Sequence, residues 1–378
     1  MYRGDFMFEK TKTLCDSFLD MGIIGFDLIA YKDGKCILRH MGGYADREKQ
    51  IPVCGNEKYH IFSCSKPITV TTAMQLWEKG LFQLEDDLAD YMPEFRNMTV
   101  MTEDGVVPAK NPIKIHHLFE MTAGFSYGLH TPHMDKFAEE TGGVCRTRDM
   151  TRYLAKEPLL SEPGDQYRYS LCHDVLAAFV EVVSGQLFDD YVHEHIFAPL
   201  GMNDSTFLLP MERMNEVSTL YKFMTAEGKA VVRESNPYRL GTEYASGGAG
   251  CVSTVEDYIK FAEALRTGEQ LLKRSTIKLM TTDRLTDYQK RTYNYADFCG
   301  YGLGMRAPIP GMPRCDYGWG GAAGAYLAID EPNGISLYYS QHTTTPPNQG
   351  LRSMIYTTLL EELDIDIVHA VTDSNLTY

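Results

Sequence analysis

Ser63 and Lys66 form the first pair of residues in the chain whose types and spacing could support chemistry. They lie in HIFSCSKPIT, residues 60–69, which predicts the start of a helix. Residues three apart on a helix share a face, so Lys66 is expected beside Ser63. A buried lysine is costly unless its charge is paired or given up, and free N–H groups at a helix start can hold an oxyanion. The pair therefore predicts a nucleophilic serine with a lysine that handles its proton.

Two other serine motifs compete with this pair. Ser275 and Lys278 also match S-x-x-K, but they follow two basic residues on what is predicted to be a solvated helix. Residues 124–128, GFSYG, match the G-x-S-x-G elbow of α/β-hydrolases, with Ser126 as the nucleophile. That elbow requires a buried strand before it, whereas the preceding IKIHHLFEMTA has helical character. Ser63 is therefore the preferred nucleophile, and Ser126 is the alternative.

Tyr169 and the segment Trp319-Gly320-Gly321 could complete a site around Ser63. Tyr169 lies in PGDQYRYSLCHDVL, just before a predicted helix. A tyrosine beside a lysine can titrate below its free value of about 10 and act as a general base. The two glycines precede a predicted strand and indicate either a bulge or an edge strand whose backbone faces the substrate. In the second case one N–H there would oppose that of Ser63, and each oxyanion donor contributes about 3–4 kcal/mol.

The histidines do not form a metal-binding pattern. His193 and His195 are two residues apart, and His116 and His117 are adjacent. In each pair the two side chains therefore point to different faces of a helix. Neither spacing resembles a zinc motif. The sequence predicts catalysis with no metal and no cofactor.

The order of the predicted strands and helices indicates how these residues are positioned. An Asp-Gly turn joins two apolar runs into a hairpin near the start, and residues 331–334 join two more near the end. The sequence predicts an α/β (α+β) fold, in which an antiparallel sheet from both termini is flanked by helices and joined to an all-helical domain. The α/β domain is assigned to residues 1–84 and 240–378, and the mainly helical domain to residues 85–239. The site is expected in the cleft between them.

The composition argues against several classes of function. The chain of 378 residues carries a formal net charge of −15, and an acidic surface disfavours nucleic acid as a partner. No apolar run reaches the roughly 18–20 residues that span a bilayer, and the N-terminus lacks a signal-peptide core. Nine scattered cysteines without a C-x-x-C pair favour reduced thiols. These features predict a soluble cytoplasmic protein with no nucleic-acid or membrane partner, and they leave its oligomeric state open.

Three motifs in a fixed order resemble those of the serine β-lactamase and penicillin-binding-protein superfamily. They are Ser63-x-x-Lys66, then Tyr169, then the Trp-Gly-Gly segment at 319–321. The class C-like branch of β-lactamase-related serine hydrolases, with the family VIII carboxylesterases, is the most similar. The stretches LFEMTAGFSYG, FAPLGMNDSTF and YGLGM add to this likeness, which covers about residues 15–365. The resemblance implies an α/β domain made from both termini plus an all-helical domain.

The resemblance also implies roles for individual residues. Ser63 is acylated, while Lys66 and Tyr169 activate it and carry its proton to the leaving group. The N–H groups of Ser63 and Ala322 form the oxyanion hole, and water then releases the acyl group. The implied protein is a metal-independent serine hydrolase that acts on a small-molecule acyl substrate through an acyl-enzyme.

Two departures from the superfamily's pattern bear on the substrate. Leu171 stands where β-lactamases and peptidases have an asparagine that binds an acylamide, and Trp319-Gly320 stands where they have a cation. Leu171, Trp319, Gly320 and Gly321 are the expected substrate-binding residues. Both replacements resemble the esterase branch and favour a carboxylesterase on uncharged acyl esters. The alternatives are a weak β-lactamase or D-amino-acid peptidase of the same fold, and a non-catalytic penicillin-binding-like protein.

Overall fold

The computed structural model describes residues 7–234, 236–311 and 314–365. Its helices are α1 (Glu9–Asp20), α2 (Ser65–Glu78), α3 (Leu88–Tyr91), α4 (Ile115–Phe119), α5 (Pro132–Glu140), α6 (Thr147–Leu154), α7 (Cys172–Ser184), α8 (Phe188–Val192), α9 (Ala198–Leu200), α10 (Val255–Thr267), α11 (Arg274–Met280), α12 (Asp287–Lys290) and α13 (Met354–Glu362). Its strands are β1 (Gly25–Lys32), β2 (Lys35–Asp46), β3 (Ile51–Pro52), β4 (Tyr59–His60), β5 (Thr99–Thr102), β6 (Gly105–Pro108), β7 (Tyr221–Met224), β8 (Lys229–Val232), β9 (Val252–Ser253), β10 (Gly300–Tyr301), β11 (Arg306–Ala307), β12 (Tyr326–Asp330), β13 (Ile335–Gln341) and β14 (Thr343–Thr344). Within these described ranges, no helix has both the length and the apolar character that crossing a bilayer requires.

The main sheet is antiparallel, with the strand order β12-β13-β1-β2-β3. Because β1 lies between β2 and β13, Leu28 is opposite His40 on one side and Tyr339 on the other. The turn between β1 and β2 contains Asp33 and Gly34 with φ values of 50° and 77°. Two successive positive φ values are what a tight two-residue hairpin turn requires. The predicted antiparallel sheet from both ends of the chain is confirmed.

The two faces of this sheet are covered by different helices. Leu28 of β1 points toward α1 and α13, where it shares an apolar core with Phe18 and Leu359. Ile29 points to the opposite face and belongs to the same core as Tyr258 of α10. This alternation follows from the two-residue period of a strand. Because helices cover both faces, the first six residues of β1 are buried.

The helix α2 carries the Ser-Lys segment into the interior of the molecule. Its first ten residues are all buried, including four hydroxyl side chains and a lysine. A helix that is buried on every side must be surrounded by other elements, and α2 packs against α7 and α8. Apolar side chains from α2, α7, α10 and one face of the sheet form one continuous cluster. The candidate site is therefore anchored in the core, close to its largest helices.

The middle of the chain is mainly helical and also contains two hairpins. Helices α3 to α9 lie in it together with the pairs β5–β6 and β7–β8. The strand β7 pairs in parallel with β14, where Tyr221 is opposite Thr343. The predicted fold class is confirmed, with these hairpins as an addition to the helices. The domain boundaries at residues 84/85 and 239/240 remain predictions.

We expect Leu28→Ala to destabilise the protein because it leaves a cavity between the sheet and its terminal helices. Leu28 is fully buried, and truncating a buried leucine costs about 2–5 kcal/mol. The matched control is Ile51→Ala, in β3 of the same sheet, where the side chain is 48% exposed and the cost is about 0.5 kcal/mol or less. Urea denaturation followed by circular dichroism measures both. Equal midpoints for the two variants would contradict this account of the core.

Candidate active site

Ser63 lies in the 3₁₀ turn Phe62–Cys64, which leads directly into α2. The first hydrogen bond of this turn runs from the Cys64 N–H to the Ile61 carbonyl, so the Ser63 N–H lies ahead of the bonds of the helix. Lys66 follows in the first turn of α2, with its Nζ 3.3 Å from Ser63 Oγ. Ser63 is 8% exposed, whereas Lys66 is fully buried. The three-residue spacing thus brings the two side chains into contact.

The backbone just before Ser63 has a conformation that is rare for a residue with a side chain. Phe62 has a φ of 46°, in the left-handed region, which costs on the order of 1–3 kcal/mol. Its ring is fully buried and meets Tyr238 edge-on, with the ring centroids 5.2 Å apart. On the other side of the turn, the Tyr258 O–H donates to the Cys64 carbonyl at 2.6 Å. Packing on both sides of Ser63 therefore holds its hydroxyl in a defined position.

Tyr169 reaches Ser63 from the segment just before α7. Its O–H donates to Ser63 Oγ at 2.7 Å, and Lys66 Nζ lies 4.5 Å from the centre of its ring. The indole N–H of Trp319 donates to the same phenol oxygen at 3.3 Å, and the two rings stack. The phenol oxygen would therefore still accept a hydrogen bond from Trp319 after it gives up its own proton. Four side chains from three distant parts of the chain meet at this point.

Tyr127 also faces Lys66, although the sequence pattern had drawn attention to Ser126 beside it. Lys66 Nζ donates to the Tyr127 hydroxyl at 3.4 Å, and the Tyr127 ring stacks on Tyr169 with the centroids 5.3 Å apart. Burial, followed by the charges of Tyr169 and Asp174, raises the pKa of Tyr127 well above its usual value. Tyr127 therefore keeps its proton and forms an aromatic wall of the site.

The shortest hydrogen bond of Lys66 runs from its Nζ to the carbonyl of Gly248, at 2.7 Å. On the other side of this glycine lies the fully buried Asp174, which accepts hydrogen bonds from Tyr244 at 2.8 Å and Ser246 at 2.6 Å. A Cβ on Gly248 would lie 2.6 Å from the Asp174 carboxylate and 3.4 Å from Lys66 Nζ. Only glycine fits between the two charged side chains. The Gly-rich segment ASGGAG thus supplies both a hydrogen-bond acceptor and the space for a carboxylate.

Asp174 and Lys66 act on each other through the protein interior. Burial raises the pKa of the Asp174 carboxyl above its usual value, whereas hydrogen bonds from Ser246 and Tyr244 and the charge of Lys66 lower it. Charges interact strongly where water is excluded, so a carboxylate at Asp174 and the ammonium of Lys66 attract each other. Asp174 was not predicted, because an aspartate near the start of an apolar helix has the usual appearance of a first-turn acid.

Gly321 lies against the backbone that leads into the nucleophile turn. A Cβ at this position would be 2.4 Å from the Ile61 carbonyl, so the close approach requires glycine. Ala322, the next residue, packs with Phe62 in a small apolar cluster. The residue predicted as the second oxyanion donor is therefore beside the turn that carries Ser63, and its role remains a prediction.

The other predicted substrate-binding residues have different surroundings. Leu171 is 2% exposed and belongs to the main apolar core at the start of α7, so its side chain presents no polar group to a ligand. Trp319 is 8% exposed and stands between the rings of Tyr169 and Tyr301. Gly320 forms a β-bridge with Tyr326, which continues the edge of the sheet toward the site. Their contacts with substrate remain predictions.

The competing motifs lie in other settings. Ser275 and Lys278 are both exposed on α11. Ser126 follows α4 rather than a strand, and its hydroxyl accepts a hydrogen bond of 3.4 Å from the Gly128 N–H. The strand before a nucleophile elbow is thus missing in this described region. Over the described part of the chain no group of three His, Cys, Asp or Glu side chains could hold a metal ion, and metal independence remains a prediction.

We expect Tyr169→Phe to slow the phosphonylation of Ser63 by a fluorophosphonate by about 100-fold or more, because the variant removes the hydroxyl bonded to Ser63 Oγ. Tyr127→Phe is the matched control, since it removes a neighbouring phenol that keeps its proton, and we expect its effect to stay below about tenfold. The second-order labelling rate is measured by intact mass. A larger effect from Tyr127→Phe would exchange the roles of the two tyrosines.

We expect Asp174→Asn to move the pH profile of the same labelling reaction toward lower pH. Removing a negative charge near Lys66 makes it easier for the site to lose a proton, so the rise in rate begins at a lower pH. Asp189→Asn is the control, because Asp189 is a half-buried carboxylate that also has a raised pKa but bonds to Thr206 and Phe207. If both variants lose stability and neither profile moves, Asp174 has a structural role alone.

Comparison with known proteins identifies relatives along nearly the whole chain. The Beta-lactamase family profile matches residues 12–357. Esterase EstB of Burkholderia gladioli is 26% identical over 379 residues, which cover 88% of this chain and 91% of that protein. An uncharacterised protein of Mycobacterium tuberculosis is 27% identical over 356 residues, or 88% of each chain.

Among solved structures, EstCE1, described as a hydrolase with promiscuous acyltransferase activity, superposes with a TM-score of 0.76 at 26% identity. The match covers 93% of this chain and 97% of EstCE1. The predicted resemblance is therefore confirmed, and the family of serine hydrolases that it names includes esterases and acyltransferases. By its sequence match and its fold, this chain belongs to the Beta-lactamase family.

Proposed function

We propose that the protein is a metal-independent serine hydrolase that acts through an acyl-enzyme, as a carboxylesterase on uncharged acyl esters. The observation that carries this proposal is the convergence of Lys66 Nζ, at 3.3 Å, and Tyr169 OH, at 2.7 Å, on Ser63 Oγ. A serine hydroxyl is a weak nucleophile until a neighbouring group takes its proton. Two groups within hydrogen-bond reach supply that function.

In the proposed reaction Ser63 Oγ attacks the ester carbonyl while its proton moves to the Lys66–Tyr169 pair. The carbonyl oxygen gains the negative charge, and the N–H groups of Ser63 and Ala322 stabilise it. The C–O bond to the alcohol then breaks, and the alcohol leaves with the proton carried by Tyr169. A water molecule attacks the acyl-enzyme by the reverse sequence and releases the acid and Ser63.

The chemistry around this serine favours an ester over a β-lactam or a peptide. Leu171 offers neither a donor nor an acceptor for an acylamide, and Trp319 offers no cation for a carboxylate beside the reacting carbonyl. The rings of Tyr127, Tyr169 and Trp319 form an apolar surface next to the nucleophile. An uncharged acyl group loses little hydration when it packs there, whereas an unpaired amide or carboxylate would lose much more. The naming of EstB and EstCE1 as an esterase and a hydrolase supports this choice.

We expect a fluorophosphonate, or a p-nitrophenyl acyl ester, to add one covalent group to the wild-type protein and none to Ser63→Ala. Ser126→Ala, the matched control, keeps the adduct because no lysine in the described part of the chain bonds to the Ser126 hydroxyl. Intact mass spectrometry after brief treatment measures both. Loss of the adduct in Ser126→Ala alone would overturn the assignment of the nucleophile.

Substrate comparison separates the esterase from its alternatives. We expect turnover of p-nitrophenyl butyrate to exceed that of a chromogenic cephalosporin and of a D-Ala-D-Ala peptide in kcat/KM. Faster turnover of either of the last two would favour the β-lactamase or the D-amino-acid peptidase. Failure of every acylating probe to label the protein would favour a non-catalytic penicillin-binding-like protein.

A further inference from the structure

A small cavity lies beside the nucleophile turn, outside the residues that surround Ser63 Oγ. Its wall includes His60, Tyr238, Arg239 and Gly250. The Tyr238 ring links it to the site, since this ring lines the cavity and contacts Phe62 at 5.2 Å and Tyr127 at 6.0 Å between centroids. The enclosed space is about 20 Å³, which holds one ordered water or one terminal oxygen of a ligand.

Arg239 brings a positive charge to this cavity that the described protein does not neutralise. Its guanidinium donates to the carbonyls of Gly241 and Leu209 at 3.3 and 3.4 Å and to the Met214 sulfur at 3.4 Å. Among the residues that the structure describes, it forms no ion pair, and burial is the cause that lowers its pKa. An arginine keeps its charge in proteins and has five donors. Its preferred partner is a carboxylate, which it binds with two parallel hydrogen bonds.

A second arginine, Arg233, lies in the same segment as Arg239, five residues before Tyr238. Arg233 donates to Thr344 Oγ1 at 3.4 Å and likewise has no ion pair within the described ranges. Burial, followed by the charge of Tyr169, raises the pKa of Tyr238, whereas the charge of Arg233 lowers it.

His60 adds no positive charge to the cavity wall at neutral pH. Burial, together with the charge of Arg239, lowers the pKa of His60 to about 4, so it is neutral at pH 7. Within the described ranges, two arginines of this segment thus have no acidic partner, in a chain whose formal net charge is −15. An anion from outside the protein is the partner that this arrangement lacks.

We propose that Arg239, assisted by Arg233, binds a carboxylate at the far end of the substrate, so that the ester hydrolysed at Ser63 also carries a free carboxylate. This inference rests on the proposed esterase function. The atoms of the substrate that pack beside Trp319 remain uncharged, and the carboxylate is at the far end of the molecule, on either the acyl or the alcohol side. The cation that is missing at Trp319-Gly320 is thus supplied from a different segment of the chain.

A binding experiment tests the subsite without requiring hydrolysis. Ser63→Ala protein is titrated with monomethyl adipate and with dimethyl adipate by isothermal calorimetry. We expect the anionic ester to bind at least about tenfold more tightly than the neutral one, because a hydrogen bond to a charged group contributes that much affinity. In the Ser63→Ala background, Arg239→Gln should abolish this difference in affinity. Arg239→Lys, which keeps the positive charge, should retain part of it. Arg291→Gln is the control, because Arg291 is exposed and lies over the Tyr288 ring.

A kinetic experiment then identifies the end of the substrate that the arginine contacts. A pH-stat measures kcat/KM for two pairs of esters. In monomethyl adipate, compared with neutral dimethyl adipate, the carboxylate is on the acyl side. In 6-acetoxyhexanoate, compared with its neutral methyl ester, the carboxylate is on the alcohol side. We expect one of the two pairs to show a preference of about tenfold or more for the anion, and Arg239→Gln to reduce this ratio. Arg291→Gln should leave it unchanged.

The two experiments fail in different ways. Equal binding of the charged and neutral esters, or an unchanged ratio in Arg239→Gln, overturns the carboxylate subsite. Selective binding of the anion without turnover of any ester supports the subsite and overturns the esterase. An equal loss for both esters together with a lower melting temperature would assign Arg239 a structural role and also overturns the subsite.

Discussion

The site depends on the complete burial of Lys66. An amine removed from water must find hydrogen-bond partners inside the protein, and it finds the Gly248 carbonyl at 2.7 Å, Ser63 Oγ at 3.3 Å and the Tyr127 hydroxyl at 3.4 Å. Each of these partners is also fixed by something else. Gly248 is held next to Asp174, and Tyr127 is stacked on Tyr169. The lysine is thus the point at which the nucleophile helix, the glycine-rich loop and two tyrosine-bearing segments meet.

This arrangement is sustained by a core that is larger than the site. The sheet made from both ends of the chain provides one wall, through α10, whose Tyr258 donates to the carbonyl of Cys64. The packing of Phe62 against Tyr238 supports a left-handed backbone that would otherwise be unfavourable. Strain of this size persists only where the surrounding structure is well packed. The position of one hydroxyl therefore depends on contacts from several elements.

The same packing explains how one family can serve different substrates. The residues proposed to transfer the proton are held by the core, whereas the residues that would contact the rest of a substrate come from loops and edges. Here those positions present aromatic rings and, in the segment after β8, two arginines that form no ion pair with the residues the structure describes. A change of charge at such a position changes which molecule binds and leaves the reacting groups in place. The proposed carboxylate subsite is an example of this separation.

Several features of the protein were determined by the sequence alone. The contact between Ser63 and Lys66 follows from helix geometry, and the β1–β2 hairpin follows from an Asp-Gly turn, because both depend on residues close together in the chain. The order of the three motifs indicated the family, and with it the fold, since it matches a pattern found across that family.

The tertiary structure decided what lies far apart in sequence. It set the 2.7 Å contact between Tyr169 and Ser63, the bond from Trp319 to Tyr169, and the place of Gly248 between Lys66 and Asp174. No local pattern specifies these contacts, because they result from how α2, α7 and the sheet pack together. Tyr127 and Arg239 could not be assigned to the site from the sequence for the same reason. Tyr127 lies in a segment that resembles a nucleophile elbow, and the segment around Arg239 matches no motif. Local helix geometry brings Ser63 and Lys66 together, and long-range packing decides which other side chains contact them.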